Sequence, residues 1–145
     1  MEHADELGID PARIAVGGSS AGGHVALWTA IENAPPGSDA ATSPKSKPAA
    51  LILKSAVTDT SPETGYTPKR FGDDAMALSP VHQLDAKMPP TLVMHAAMDD
   101  LVHYGTAVAL HNKLDSTGNK CELFTIPIGG HNSVSYTHLT LPTKA

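Results

Sequence analysis

The pentapeptide Gly18-Ser19-Ser20-Ala21-Gly22 has the pattern Gly-x-Ser-x-Gly, and the segments on either side of it restrict its structure. The apolar residues 13–17 before it predict a buried strand, and residues 23–31 after it predict a helix. A sharp turn between a strand and a helix strains its central residue and exposes that side chain. We therefore predict that Ser20 is a nucleophile; the alternative is a plain glycine-rich turn.

The small residues around Ser20 have expected tasks of their own. Glycines at 18 and 22 would let the strand and the helix approach closely. The first backbone amide of the helix, that of Ala21, would point at a developing negative charge and form part of an oxyanion hole.

Composition and charge exclude several classes of protein. The chain has 145 residues, of which 41% are hydrophobic and 17% charged, as in one ordinary globular domain. The net charge of −5 is scattered, so no nucleic-acid partner is expected. No apolar run approaches the ~20 residues of a membrane span. The eight histidines lack tight ligand spacing, so neither a metal nor another cofactor is predicted.

Apolar segments alternate with helical ones along the chain. Strands are predicted at 13–17, 49–55, 91–95 and 121–127, with helices at 2–8, from 20 to about 33, and at 106–114. This alternation predicts a parallel sheet of the α/β class, and the almost uninterrupted apolar runs of the second and third strands predict that both faces are covered by helices. Residues 37–48 and 58–74 are predicted to be an exposed loop and a long polar excursion.

Three chemically reactive residue types follow three of these strands. Ser20 follows the first, Asp99 and Asp100 follow the third, and His131 follows the fourth, within Gly129-Gly130-His131. Parallel strands gather such residues at their carboxyl ends, and serine, acid, histidine is the chain order of an α/β-hydrolase triad. Taken singly, the aspartate could cap a helix and the histidine could be a solvated loop residue.

Other candidates are weaker. Asp59 follows the second strand and is expected to cap a turn rather than to be the acid. His95 is expected to bond to neighbouring backbone, and His24 could line the site or simply pack. The single cysteine, Cys121, is expected to be a small buried strand residue.

The residues around Ser20 resemble those of a known family. Residues 8–24, which end Ser20-Ala21-Gly22-Gly23-His24, look like the elbow region of α/β-hydrolase carboxylesterases, and the Ser-Ala-Gly-Gly wording is similar to the acetyl-esterase and hormone-sensitive-lipase-like branch. Residues 89–95 followed by Asp99-Asp100-Leu101-Val102 resemble the family's His-Gly-x-x-Asp-x-x-Val, with Ala96 where glycine is common.

The resemblance implies an α/β-hydrolase fold, Asp99 rather than Asp100 as the acid, His131 as the base, and no cofactor. It implies cleavage of small acyl esters, some of them acetyl or feruloyl groups on plant polysaccharides, through an acyl-serine intermediate. Two alternatives stay open: a peptidase of the prolyl-oligopeptidase type, and a hydrolase-like domain that binds without catalysis.

The sequence departs from the family at both ends. The family's earlier strands, and the His-Gly-Gly loop that completes the oxyanion hole, do not precede the elbow here. Residues 134–145 look like a translated sequencing adapter. We therefore expect a partial catalytic domain over residues 1–133 and a non-native or disordered tail over 134–145. A sheet with an unpaired edge would leave this chain inactive and poorly soluble.

Overall fold

The computed structural model describes residues 3–33, 35, 37–38 and 47–133. The predicted tail at 134–145, and most of the predicted loop at 37–48, lie outside the described residues. The described helices and strands are α1 (Ala4–Leu7), β1 (Ala15–Ser19), α2 (Ala21–Trp28), β2 (Ala50–Lys54), β3 (Thr91–Ala96), α3 (Tyr104–Ser116) and β4 (Cys121–Ile126). Short 3-10 turns lie at Pro11–Arg13, Pro68–Arg70, Gly72–Asp74 and Pro80–His82.

The strands of the described residues form one four-stranded parallel sheet in the order β1-β2-β3-β4. The prediction of a parallel sheet is confirmed. At the carboxyl end, Ser19 is level with Lys54, Lys54 with Met94, and Met94 with Phe124. The segments that follow β1, β3 and β4 therefore all start from the carboxyl end of the sheet.

The ends of several elements differ from the prediction. β1 begins at Ala15, two residues later than predicted, and α2 ends at Trp28 rather than near Asn33. At this end the Thr29 hydroxyl donates to the carbonyl of Ala26 at 2.7 Å, which satisfies a carbonyl of the last turn. A side-chain bond of this kind competes with helix continuation and leaves no periodic signal in the sequence.

The core lies on one face of the sheet. Leu27 of α2, Leu110 of α3, and Leu53 and Val93 of the sheet are each 0% exposed. The prediction that helices cover both faces is wrong for the described residues.

The opposite face carries exposed apolar side chains. Ile52 is 40% exposed and Phe124 is 59% exposed. β1 forms one edge of the sheet, and no strand among the described residues pairs with its outer side. The apolar pattern of these strands predicted burial on both faces, but the pattern alone does not identify the element that would cover the second face.

Candidate active site

Ser20 occupies the turn between β1 and α2 in a strained conformation. Its φ is 54° and its ψ is −122°, in a region that non-glycine residues avoid at a cost of about 1–3 kcal/mol. The strain is held by backbone hydrogen bonds: the N–H of Ser20 donates to Lys54 at 3.0 Å, and its carbonyl accepts from Val57 at 3.1 Å. The predicted elbow conformation is confirmed.

Close approach at this turn requires glycine at positions 18 and 23, whereas positions 18 and 22 were predicted from the sequence. A Cβ at Gly18 would overlap the backbone of Gly22, and one at Gly23 would overlap the side chain of Ala56. A Cβ at Gly22 would meet nothing. Gly23, rather than Gly22, therefore allows α2 to pack against the segment after β2.

The Ala21 amide stands at the beginning of α2, next to Ser20. Neither a carbonyl nor a side chain of the described residues accepts a hydrogen bond from it. A helix N-terminus presents unpaired N–H groups and partial positive charge. The Ala21 N–H is thus free to receive an anionic oxygen formed at the serine.

Asp99 and His131 meet after β3 and β4. His131 Nδ1 lies 2.9 Å from Asp99 Oδ2, and the side chains are 13% and 0% exposed. Gly129 has a φ of 135°, which favours glycine and lets the loop turn back over the sheet. Asp100, the neighbouring candidate, is exposed. The structure brings Asp99, not Asp100, to the histidine.

The Asp99 carboxylate is buried but well supplied with donors. Its Oδ1 accepts the N–H of Leu101 at 3.0 Å and of Val102 at 2.9 Å. Burial would raise the pKa of this carboxyl, but the Val102 amide, the His131 ring and the Leu101 amide together hold the pKa below its ordinary value. The group therefore carries its negative charge at neutral pH, where it can orient His131 through Nδ1.

Ser20 and His131 both lie beyond the carboxyl end of the sheet, but no hydrogen bond joins them within the described residues. His131 follows β4, and β4 and β1 are separated by three strand spacings of about 4.8 Å, so the base must reach back across β3 and β2 from its loop. Contacts of this kind are often long without substrate. The structure thus joins acid to base, and the contact between base and nucleophile stays a prediction.

Asp59, the weaker candidate for the acid, is a turn cap as expected. Its oxygens accept from the Ser61 amide at 2.7 Å, Thr64 Oγ1 at 2.6 Å and Ser79 Oγ at 2.9 Å. Burial would raise its pKa, but these donors lower it below the ordinary value. Thr58, Asp59, Thr60 and Ser61 are all buried, so the polar excursion begins inside the fold instead of on its surface.

A cavity of about 360 Å³ opens beside the Ala21 amide. Its wall is mainly apolar and aromatic, with one arginine: Ala21, His24, Val25, Val57, Tyr66, Thr67, Arg70 and Phe71. The aromatic residues of this wall, Tyr66 and Phe71, were not predicted from the sequence. The available signal was the presence of these two aromatic residues in the otherwise polar segment that follows β2. The cavity is of a size to take a small organic group next to the serine turn.

His24 forms part of this wall and is held in one tautomer. Its Nδ1 lies 3.2 Å from the carbonyl of Val57 and must donate, while Nε2 accepts from Trp28 Nε1 at 3.2 Å. The ring also stacks on Phe71 with centroids 6.2 Å apart. Burial lowers the pKa of His24, against a smaller opposite effect of the Val57 bond. His24 is therefore a neutral packed residue, not a competing base.

This arrangement predicts a loss of stability in acid. The folded pKa of His24 lies below its ordinary value of 6.5, so the unfolded chain takes up the proton first as the pH falls below that value. Stability present above pH 6.5 is then lost on acidification, by about 1.4 kcal/mol for each unit of pKa depression. His24→Asn keeps a donor to Val57 but cannot titrate, so the advantage of wild type in thermal midpoint should shrink on acidification. An advantage independent of pH would contradict this interpretation.

Trp28 offers a second readout, because it is the single tryptophan of the chain. Protonating His24 removes the acceptor for the Trp28 indole N–H. Tryptophan emission should therefore change with pH in the wild type and remain flat in His24→Asn. A pH-dependent emission of equal size in the variant would show that another group is responsible.

No helix among the described residues has the length and apolar character that spanning a membrane requires. The same residues also contain no group of three or more His, Cys, Asp or Glu side chains placed to hold a metal ion. Burial, followed by the charges of Asp115 and Glu122, raises the pKa of Cys121 to about 11, which fits a structural thiol.

A parallel sheet with a strained serine between β1 and α2, and an acid–histidine pair after β3 and β4, defines the α/β-hydrolase class. Comparison with family models is in accord: residues 2–140 match the prolyl oligopeptidase family, described as Peptidase_S9. The chain belongs to that family. The α/β-hydrolase class predicted from the sequence is confirmed, and the prolyl-oligopeptidase type was the predicted alternative to the esterase branch.

Solved structures similar to this chain include esterases. Thermogutta terrifontis esterase 2 phosphoramylated by tabun is 34% identical over 90% of this chain and 49% of its own, with a TM-score of 0.73. The same organism's esterase with bound butyrate is 31% identical over 90% and 51%, with a TM-score of 0.73. The acetyl ester-xyloside bifunctional hydrolase of Caldicellulosiruptor lactoaceticus, at 24% identity over 96% and 55% and a TM-score of 0.77, supports the fold alone.

The chain spans about half the length of the esterases that it matches. A comparison with curated proteins gave no match. The α/β-hydrolase fold is therefore established by the sheet, the family model and the solved structures together.

Proposed function

We propose that the protein is a serine hydrolase that cleaves carboxylic esters of small acyl groups, with Ser20 as nucleophile, His131 as base and Asp99 as the acid that orients the base. The observation that carries the proposal is the hydrogen bond of 2.9 Å between His131 and the buried Asp99. This pair lies beyond the carboxyl end of the sheet, as does Ser20 in its strained turn. Without the other two residues, a serine hydroxyl is too weak a nucleophile.

The proposed reaction has two halves. Ser20 Oγ attacks the carbonyl carbon while its proton passes to Nε2 of His131, and the Ala21 N–H donates to the oxyanion. Collapse of the tetrahedral intermediate breaks the bond to the alcohol, which leaves with the proton from His131. Water then repeats these steps on the acyl-serine, so that the acid is released and Ser20 recovers its proton. Asp99 stays ionised throughout and stabilises the imidazolium.

The relatives favour an ester over a peptide. The Thermogutta esterase is described with butyrate bound and as phosphonylated by sarin, which is a covalent modification by an organophosphorus agent. The cavity beside Ala21 is mainly apolar and large enough for a short acyl chain. A polysaccharide ester would place its sugar on the open side of this cavity.

The family match supports a second candidate, a peptidase, because the matching model is that of prolyl oligopeptidases. The chemistry of the three residues would be the same, and only the leaving group would differ. A domain that binds without catalysis is the third outcome to be tested.

The experiment compares three substrates with the protein at its full natural length: p-nitrophenyl acetate, p-nitrophenyl butyrate and a glycyl-prolyl p-nitroanilide. We expect kcat/KM for the esters to exceed that for the anilide by at least about 100-fold, since a difference of about 1–3 kcal/mol in the contacts made with two substrates discriminates between them by about 10- to 200-fold. Preferential cleavage of the anilide would support the peptidase. Absence of cleavage in a folded sample would support the binding domain and overturn the proposal.

A further inference from the structure

His95 lies near the end of β3, and the proposed mechanism gives it no task. The residue is 0% exposed. Its Nε2 lies 2.8 Å from the carbonyl oxygen of Val102 and 3.1 Å from Asp99 Oδ2, the oxygen that also binds His131. An imidazole buried this completely against the candidate acid suggests a task in the site.

The contacts fix the form of the ring. A carbonyl oxygen can only accept, so His95 Nε2 must carry a hydrogen that points at Val102. The Nδ1 atom is buried and has no partner among the described residues. The Nε2–H is therefore the polar group that the ring presents to the Asp99–Val102 turn.

His95 completes the turn that holds the acid. The Val102 N–H donates to Asp99 Oδ1, and the Val102 carbonyl accepts from His95. Both polar groups of Val102 are thus engaged, one by the carboxylate and one by the strand that precedes the turn. With Oδ1 fixed in this way, Oδ2 is directed at His131 and lies against the polar N–H edge of the His95 ring.

The His95 ring is also positioned by residues of α3 and β4. Tyr104, the first residue of α3, packs edge-on against it, with centroids 6.0 Å apart and planes at 68°. The Tyr104 hydroxyl is 2.6 Å from the hydroxyl of Thr125, which is the β4 partner of His95 in the sheet. The orientation of His95 is therefore set by α3 and β4 as well as by its own strand.

We propose that His95 is a positioning residue: its Nε2–H pins the Asp99–Val102 turn to the end of β3 and so aims the Asp99 carboxylate at His131. This inference rests on the proposed function in one respect, because it matters for catalysis only if Asp99 and His131 act on Ser20. The positioning itself is a property of the acid–histidine pair and can be measured without turnover.

Two replacements of His95 separate the hydrogen bond from the packing. His95→Gln keeps an N–H near the position of Nε2, whereas His95→Leu fills a similar space without a donor. Val93→Ala is the matched control, because Val93 is also 0% exposed in β3 but its apolar side chain cannot form a hydrogen bond with the acid turn. The readouts are the nuclear magnetic resonance signal of the His131 Nδ1 proton, and kcat and KM for p-nitrophenyl butyrate.

We expect the Nδ1 proton signal to be lost or broadened in His95→Leu and retained in His95→Gln and Val93→Ala. The loss of one hydrogen bond at a charged pair should lower kcat on the order of 10-fold, with KM nearly unchanged. His95→Gln should remain close to wild type in both readouts.

The proposal is overturned if folded His95→Leu keeps the signal and its kcat, or if Val93→Ala loses them equally. If His95→Leu does not fold, His95→Gln decides: a folded variant without the signal overturns the proposal. Failure of the proposed function gives a different result, in which Ser20→Ala leaves hydrolysis intact while the signal still depends on residue 95.

Discussion

Ser20→Ala is expected to lower kcat for p-nitrophenyl butyrate by about a millionfold in the protein at its full natural length, the size of the effect seen when a serine protease loses its nucleophile. The alanine has no oxygen to form the acyl intermediate, and the strained turn does not require the hydroxyl, since backbone atoms of Lys54 and Val57 hold it. The measurement is steady-state hydrolysis with thermal unfolding alongside.

Ser19→Ala is the matched control. Ser19 lies in the same pentapeptide, ends β1, is exposed and has no part in the proposed reaction. This variant should keep nearly all activity. Equal losses in both variants would indicate a damaged turn, and an active Ser20→Ala would show that another residue attacks the ester.

Asp99→Asn is expected to lower kcat by about 10,000-fold, the effect seen when the equivalent carboxylate is replaced in a triad. An amide of the same shape can still accept the backbone N–H groups of Leu101 and Val102 through its oxygen. Its NH₂ group would then face His131 Nδ1 as a donor. The histidine would bond in the wrong tautomer, and its other nitrogen could no longer take the proton from Ser20.

The neighbouring carboxylate supplies the control for this change. Asp100→Asn removes the same charge from an exposed position one residue away. It should leave kcat nearly unchanged, because an exposed charge that makes no contact with His131 is largely screened. Comparable losses in the two variants would argue for a general effect of negative charge on the loop and against a specific task of Asp99.

Local features of the site could be predicted from the sequence. The turn at Ser20 depends on glycines and on a strand–helix junction within some twenty residues, and such patterns are visible along the chain. That Asp99 and His131 lie at the same end of the sheet could be predicted from their positions after β3 and β4, because parallel strands have their carboxyl ends on one side.

Contacts between distant segments could not be predicted in the same way. The side chain of His24 bonds to Val57, 33 residues away, and the Asp59 oxygen reaches Ser79, 20 residues away. These pairs are set by how the excursion after β2 folds back over the sheet, which no period of two or 3.6 residues encodes. For the same reason the one-sided burial of the sheet was missed: Ile52 has the residue type of a buried position and is exposed.

The most direct test of the proposed site is covalent labelling of Ser20 by a fluorophosphonate, followed by mass spectrometry of the digested protein. We expect a single adduct on the peptide that contains Ser20, formed fast in wild type and Ser19→Ala, slowly in Asp99→Asn, and not at all in Ser20→Ala. An adduct on a different residue, or undiminished labelling of Ser20→Ala, would contradict the proposed site.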